Sequence, residues 1–234
     1  MTDGPIDVHA LTGAVQIAGV HDRAEAEMLI ALGVEFVGLP LRLPDGREDL
    51  SEADAQALFA AVAGRVGRVL ITYAVDADEI AAFADGLQCD WVQLHGAVTA
   101  AEAARLNALR PTLGLIKALV VGADDVARQI SAFSPHVHAF ITDTFDPATG
   151  RRGATGLTHD WAASRAAVEA TDLPVILAGG LDADNVADAI AAVRPAAVDA
   201  HSRVEGADGR KDPERVAAFV AAARRAFAEQ GVRR

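Results

Sequence analysis

The chain has 234 residues, of which 51% are hydrophobic, and a formal net charge of −12. This length suits one α/β barrel or two small domains. The acidic balance excludes a general nucleic-acid surface, which needs clustered Lys and Arg. A single cysteine, Cys89, excludes an internal disulfide and a thiolate metal cluster.

The N-terminal residues do not resemble a targeting segment. Met1 to Thr12 lack the basic start and apolar core of a signal peptide, and no apolar run in the chain is long enough to cross a bilayer. We therefore expect a cytoplasmic protein with no membrane partner.

Short apolar strands alternate with amphipathic helices along the chain, after a loose lead over residues 1–13. Strands are predicted at residues 14–19, 35–39, 68–72, 91–94, 113–119, 139–142, 175–178 and 197–200. Helices are predicted at residues 23–32, 52–63, 77–84, 99–109, 124–133, 160–170, 185–193 and 213–227. Eight such units without a linker predict one α/β domain over residues 1–234, a (β/α)8 TIM barrel.

In such barrels the chemistry lies at the C-terminal ends of the strands. Asp143 ends an apolar strand, where partial desolvation would suit a carboxyl group to proton donation, although a loop-capping role is an equal alternative. His95 either contacts a ligand or caps its strand. Lys117 lies within an apolar strand, so we expect it to point into the site or to meet a carboxylate. Cys89 precedes a strand and should pack at the opposite face.

A phosphate site is predicted where two neighbouring loops meet. Gly179 and Gly180 follow the seventh strand, and Ser202 and Arg203 follow the eighth. Backbone amides from these two loops form a frequent phosphate site in barrels of this kind. A glycine-rich loop over residues 150–156, which includes Gly156, could fold over the ligand.

Several ordered motifs together resemble one family, phosphoribosylanthranilate isomerase, from about Val15 to Phe227. The motifs are Gln93-Leu94-His95-Gly96, Ile116-Lys117-Ala118-Leu119, Asp143, Gly153-Ala154-Thr155-Gly156 with Asp160-Trp161, Leu177-Ala178-Gly179-Gly180-Leu181 with Asn185-Val186, Val198-Asp199, Val204-Glu205 and Lys211-Asp212-Pro213.

The resemblance implies an Amadori-type aldose-ketose isomerisation in tryptophan biosynthesis, acting on a phosphoribosyl amine. It implies that Asp143 protonates the ribose ring oxygen. It also implies a proton-abstracting cysteine at the end of the first strand, where this chain has Ala18 within Gln16-Ile17-Ala18-Gly19. The chain is therefore a divergent member that lacks the family's usual catalytic cysteine.

Two further positions depart from the family pattern. The family arginine that faces the anthranilate carboxylate has no clean match, and Arg42 and Arg47 are the candidates. The family's Ser-Ser-Gly after the eighth strand becomes His201-Ser202-Arg203. The phosphate half of the site is thus kept and the proton-abstracting half is changed.

The missing base leaves three functions open. The first is an isomerase with Asp143 as acid and His21, His95 or His201 as the base. The second is a paralogue with the same phosphate site and another phosphosugar substrate or reaction, and the third is a non-catalytic phosphoribosyl-binding protein.

We expect a phosphorylated small-molecule partner, no cofactor, and a monomer or homodimer. A metal site made by His95, Asp143 and His201 has no supporting ligand spacing, so no metal is expected.

Overall fold

The computed structural model describes residues 6–44, 46, 48–121, 126–144 and 161–232. Eight parallel strands in it close into a barrel in chain order, which confirms the predicted fold. The strands are β1 (Ala14–Ala18), β2 (Phe36–Leu41), β3 (Gly67–Thr72), β4 (Trp91–Leu94), β5 (Gly114–Val121), β6 (Ala139–Thr144), β7 (Val175–Leu177) and β8 (Ala197–Ala200). Strand β8 pairs with β1, with Ala200 opposite Ile17, and this pairing closes the ring.

Helices connect successive strands on the outside of the barrel. Those in the described residues are α1 (Arg23–Ala31), α2 (Glu52–Val62), α3 (Ala77–Leu87), α4 (Ala100–Leu109), α5 (Val126–Phe133), α6 (Trp161–Glu169), α7 (Val186–Val193) and α8 (Pro213–Glu229). Several begin at a side-chain oxygen that accepts an N–H of the first turn, which satisfies a donor that the helix leaves open. These capping residues are Asp22, Ser51, Asp76, Thr99 and Asp212.

Some element boundaries differ from the prediction. Helix α3 was predicted to end at Ala84, yet it continues to Leu87, because Leu87 is buried in the core. It ends there because Gln88 takes a left-handed conformation with φ of 53°. Strands β5 and β6 also run two residues past their predicted ends, to Val121 and Thr144. These extensions lengthen the wall of the barrel at its C-terminal mouth.

The apolar residues form two layers, one inside the barrel and one between the strands and the helices. Alternate residues along each strand enter one layer or the other, as the two-residue period of a strand requires. Phe36 and Trp91 fill the interior, where their rings meet edge to face at 6.3 Å. Ala18 and Ala178 are small interior residues at the C-terminal ends of β1 and β7. The C-terminal ends of these two strands therefore carry little side-chain bulk inside the barrel.

The expectation of a loose N-terminal lead is wrong for residues 6–13. Val8–Leu11 form a 3₁₀ turn, and the Asp7 side chain accepts the His9 N–H at 3.0 Å. Leu11 is buried among the interior residues, with Ile6 packed against the same cluster. Burial of apolar surface at the N-terminal end of the barrel therefore orders this segment. No helix in the described residues is long and apolar enough to cross a membrane.

Candidate functional site at the C-terminal mouth

The loop that follows β7 contains Gly179 and Gly180, with positive φ angles of 106° and 61°. Side chains rarely tolerate such angles, so the turn favours glycine. The amide nitrogen of Asn185 donates to the Gly180 carbonyl oxygen at 2.8 Å, and its amide oxygen accepts the Asp182 N–H at 3.0 Å. The loop is thus fixed by its own side chains.

The loop after β8 lies beside this glycine loop, because β7 and β8 pair with Leu177 opposite Val198. It starts with the 3₁₀ turn Ser202–Val204. Arg203 Nη1 lies 3.3 Å from Asp182 Oδ2, so an ion pair joins the two loops. The fold therefore brings the predicted phosphate residues of the two loops together, and phosphate binding by them stays a prediction. These residues are Gly179, Gly180, Ser202 and Arg203.

The ring of His201 packs against Gly19, just past the end of β1. A Cβ atom placed on Gly19, whose φ is +71°, would overlap this ring. His201 Nε2 is 3.5 Å from Glu205 Oε1, which lies 2.5 Å from the Nζ atom of Lys211. Burial, with smaller contributions from the charges of Lys211 and His21, lowers the pKa of His201 to about 3. The imidazole is therefore neutral at physiological pH.

His21 faces two carboxylates in the adjoining loop. Its Nδ1 is 3.3 Å from Glu25 Oε2 and its Nε2 is 3.6 Å from Asp49 Oδ1. Glu25 also accepts the backbone N–H groups of His21 and Lys211, each at 2.7 Å, and its side chain is 2% exposed. Sequence reasoning missed Glu25. The spacing of Asp22 and Glu25, which is that of a helix capping box, was the signal that could have identified it.

A polar chain crosses the interior of the barrel below the mouth. The Gln93 amide nitrogen lies 2.5 Å from His95 Nε2, and the Gln93 oxygen accepts from Gln16 at 3.1 Å. The same Gln16 nitrogen donates to Asp199 Oδ1 at 2.9 Å. Because an amide nitrogen only donates, His95 Nε2 acts as the acceptor. His95 is thereby coupled to β1 and β8, and its ring lies 5.5 Å from that of Tyr73.

Asp143 lies near the end of β6, opposite Val120 of β5. The strand is tied to the glycine loop just before this point, because the Thr142 hydroxyl accepts the Ala178 N–H at 3.0 Å and donates to the Ala178 carbonyl at 3.3 Å. The backbone of Asp143 is therefore at the mouth, as predicted, and its role as acid stays a prediction. Arg47, Gly156 and the glycine-rich loop lie outside the described residues.

The guanidinium of Arg42 is engaged by carboxylates of this chain. Its Nε and Nη2 atoms bind the Glu52 carboxylate at 2.8 and 3.2 Å, and its Nη1 atom binds Glu79 at 2.9 Å. The guanidinium also stacks on Phe83, 3.8 Å from the ring centroid. Arg42 therefore joins α2 to α3, and the idea that it faces a substrate carboxylate is not supported by these contacts.

Two other residues singled out from the sequence, Lys117 and Cys89, lie outside the barrel interior. Lys117 does not point into the barrel: its Nζ atom donates to the carbonyl oxygens of Leu94 and Gly96 at 3.2 and 3.4 Å, and lies 5.5 Å from the Phe133 ring centroid on the helix side. Cys89 packs at the N-terminal side of β4, where burial raises the pKa of its thiol to about 12. A thiol with that pKa is not a proton acceptor at neutral pH.

The described mouth therefore combines a fixed glycine loop, a neutral imidazole and buried carboxylates. The glycine loop and the 3₁₀ turn lie on one side, and His201 and His21 stand beside them near β1. Fold and site together define a (β/α)8 barrel whose site lies at its C-terminal face.

Comparisons with known proteins agree with this class. Residues 15–222 match the family described as N-(5'-phosphoribosyl)anthranilate (PRA) isomerase. The N-(5'-phosphoribosyl)anthranilate isomerase of Haloferax volcanii is 40% identical over 214 residues, which cover 91% of this chain and 93% of that protein. The enzyme of the same name from Haloarcula marismortui is 35% identical over 213 residues, 91% of this chain and 96% of its own.

Solved structures show the same barrel. The phosphoribosyl anthranilate isomerase of Thermotoga maritima is 28% identical, with a TM-score of 0.74, over 90% of this chain and 98% of that one. A further phosphoribosyl anthranilate isomerase, 27% identical with a TM-score of 0.72 over 90% and 97% of the two chains, was solved in complex with reduced 1-(o-carboxyphenylamino)-1-deoxyribulose 5-phosphate. The chain belongs to the N-(5'-phosphoribosyl)anthranilate isomerase family.

Proposed function

We propose that the protein isomerises N-(5'-phosphoribosyl)anthranilate to 1-(o-carboxyphenylamino)-1-deoxyribulose 5-phosphate. The observation that carries the proposal is the family match over residues 15–222 together with the paired loops after β7 and β8. A family structure bound to the reduced product supports the choice of substrate. The backbone of those loops would hold the phosphate, with Ser202 at the start of the 3₁₀ turn.

Asp143 is proposed as the general acid. Protonation of the ribose ring oxygen would open the sugar and give an imine between C1 and the anthranilate nitrogen. Its position at the end of β6 supports this role, because chemistry in these barrels is built on strand ends. Arg47 is the proposed partner of the anthranilate carboxylate, since Arg42 is occupied by Glu52 and Glu79.

The test is turnover of freshly prepared substrate, followed by the loss of anthranilate-type fluorescence. Asp143→Asn is expected to lower kcat by about 10² to 10⁴-fold, the usual effect of removing a general acid. Asp172→Asn is the matched control, since Asp172 is exposed in the turn between α6 and β7, at the opposite face. The proposal fails if the wild-type protein does not turn over this substrate and cannot support growth of a tryptophan auxotroph that lacks the isomerase.

The residue at the end of β1 favours a second candidate function. Ala18 ends β1, and alanine cannot accept a proton. A paralogue with another phosphosugar substrate, or a non-catalytic phosphoribosyl-binding protein, would keep the phosphate loops and lose this group. Thermal-shift screening of phosphosugars separates the isomerase from this second candidate. Stabilisation by other phosphosugars, without turnover of the anthranilate compound, would support the second candidate.

The proposed activity belongs in the cytoplasm, where its phosphorylated substrate would be made. We propose a monomer or a homodimer. Size-exclusion chromatography with light scattering decides between the two states.

A further inference from the structure

An aldose-ketose isomerisation needs a base as well as an acid. Ring opening leaves a protonated imine, because the anthranilate nitrogen keeps its hydrogen. The C2–H bond must then break while its electron pair forms a C1=C2 double bond and the C=N electrons move to the nitrogen, which becomes neutral. The enaminol then takes a proton at C1 and loses the proton of its C2 hydroxyl group, which gives the ketone. Ala18 supplies no base at the end of β1, so another residue must take the C2 proton.

We propose that Nδ1 of His201 is this base. The inference rests on the proposed isomerase function. In the pairing of β1 with β8, Ile17 lies opposite Ala200. Ala18 is the next and last residue of β1, and His201 directly follows the end of β8. The His201 ring lies against Gly19, the residue after Ala18. An imidazole thus stands at the end of β1, beside the position that lacks a base.

The surroundings of the ring select Nδ1. The Nε2 edge faces Gly19 and is 3.5 Å from Glu205 Oε1. Glu205 is held by Lys211, whose side chain is fully buried and lies 2.5 Å away. A carboxylate at Nε2 favours the tautomer with the proton on that nitrogen, which leaves Nδ1 as the acceptor. Glu205 is therefore a positioning residue for the imidazole.

The exposure and the protonation state of the His201 ring both suit the role of a base. The His201 side chain is 31% exposed, and its contact with Glu205 uses Nε2 and not Nδ1. Burial keeps the pKa of the ring far below its ordinary value, so the ring is neutral and open to a proton. The same shift makes it a weak base, which predicts slower turnover than a base with a pKa near neutrality would give.

The other two histidines at the mouth are less suited. Both ring nitrogens of His21 face carboxylates, Glu25 at 3.3 Å and Asp49 at 3.6 Å. Nε2 of His95 is 2.5 Å from the Gln93 amide nitrogen and belongs to the chain that crosses the barrel. The three heavy atoms nearest to a Cβ built on Gly19 all belong to the His201 ring.

The test uses substrate with deuterium at C2. His201→Asn should lower kcat by about 10² to 10⁴-fold and enlarge the C2 isotope effect, while binding of the reduced product analogue changes less than about threefold. His136→Asn, the same change in the turn before β6 at the opposite face, should leave kcat unchanged. Adding Ala18→Cys to His201→Asn should raise kcat at least about tenfold above that of the His201→Asn variant, because the thiol would lie at the neighbouring strand end.

The outcomes separate the two proposals. A wild-type protein with no turnover refutes the isomerase function, and this inference falls with it. An active wild type whose His201→Asn variant keeps kcat within about threefold overturns the role of His201 alone. If the Asn variant fails to fold, His201→Gln replaces it, with the same isotope and binding measurements.

Discussion

The Nζ atom of Lys211 lies 2.5 Å from Oε1 of Glu205, and the lysine side chain is fully buried. A buried charge that loses its partner keeps its desolvation cost without the compensating attraction. Glu205→Gln is therefore expected to lower the free energy of unfolding by about 3–5 kcal/mol. Urea denaturation followed by circular dichroism measures this change.

The control for this prediction is a solvent-exposed pair of similar length. Glu169 accepts from Arg165 at 2.7 Å on the surface of α6, with 60% of its side chain exposed. Glu169→Gln should cost no more than about 0.5 kcal/mol. If the two variants lost equal free energy of unfolding, the Lys211–Glu205 pair would stabilise the fold no more than an exposed pair does.

Gly19→Ala should damage both stability and activity. The residue has φ of +71°, which costs an alanine about 1–2 kcal/mol, and the new methyl group would also displace the ring of His201. Gly64 offers a matched control, with φ of +73° and nothing within 4 Å of a Cβ atom. Gly64→Ala should show the backbone cost alone, with unchanged kcat. The prediction is wrong if the two variants lose activity equally.

Stability should decline in mild acid because of His201. Its pKa is about 3 in the folded protein against an ordinary value of 6.5, so the unfolded chain binds more protons between these values. This contribution is complete above pH 6.5 and is lost as the pH falls toward 3. The charged or titratable groups that face the ring are His21, Glu205 and Lys211.

From pH 7.5 to 5.0, this one group should remove about 2 kcal/mol from the free energy of unfolding. His201→Gln should abolish that part of the pH dependence, while the contribution of His138, whose pKa is also lowered by burial, remains. Parallel pH profiles for the wild type and the variant would contradict the prediction.

The two arginines of the β2–α2 loop should behave differently. Arg42→Ala removes the contacts to Glu52 and Glu79 and should cost about 1 kcal/mol of stability, with KM unchanged. Arg47→Ala should raise KM at least about tenfold, because a charged hydrogen bond to the anthranilate carboxylate would be lost. Steady-state kinetics on both variants measures these effects. A raised KM for Arg42→Ala, with no change for Arg47→Ala, would make Arg42 the partner of the anthranilate carboxylate.

The barrel could be predicted from sequence because its strands are short apolar runs separated by helices with strong capping signals, such as Ser51 and Asp212. The bounds of β4 and β8 match the prediction. The glycine loop was also predictable, since a Gly pair after an apolar strand points to a turn with positive φ.

The contacts around His201 could not be predicted in this way. The packing of its ring on Gly19 joins residues that are distant in the chain. The polar chain inside the barrel depends on such partners too, since the bond from Gln16 to Asp199 spans 183 positions. Residue type alone also did not predict that the buried ammonium of Lys117 donates to backbone carbonyl oxygens near the end of β4. A local pattern identifies a polar residue in a strand but not the group that it meets.

The packing of the His201 ring on Gly19 also constrains how such a sequence can arise. A Cβ atom on residue 19 would overlap His201 Nε2, so residue 19 and residue 201 cannot both be bulky in this arrangement. Any variant that keeps the histidine at position 201 in this place therefore requires glycine at position 19.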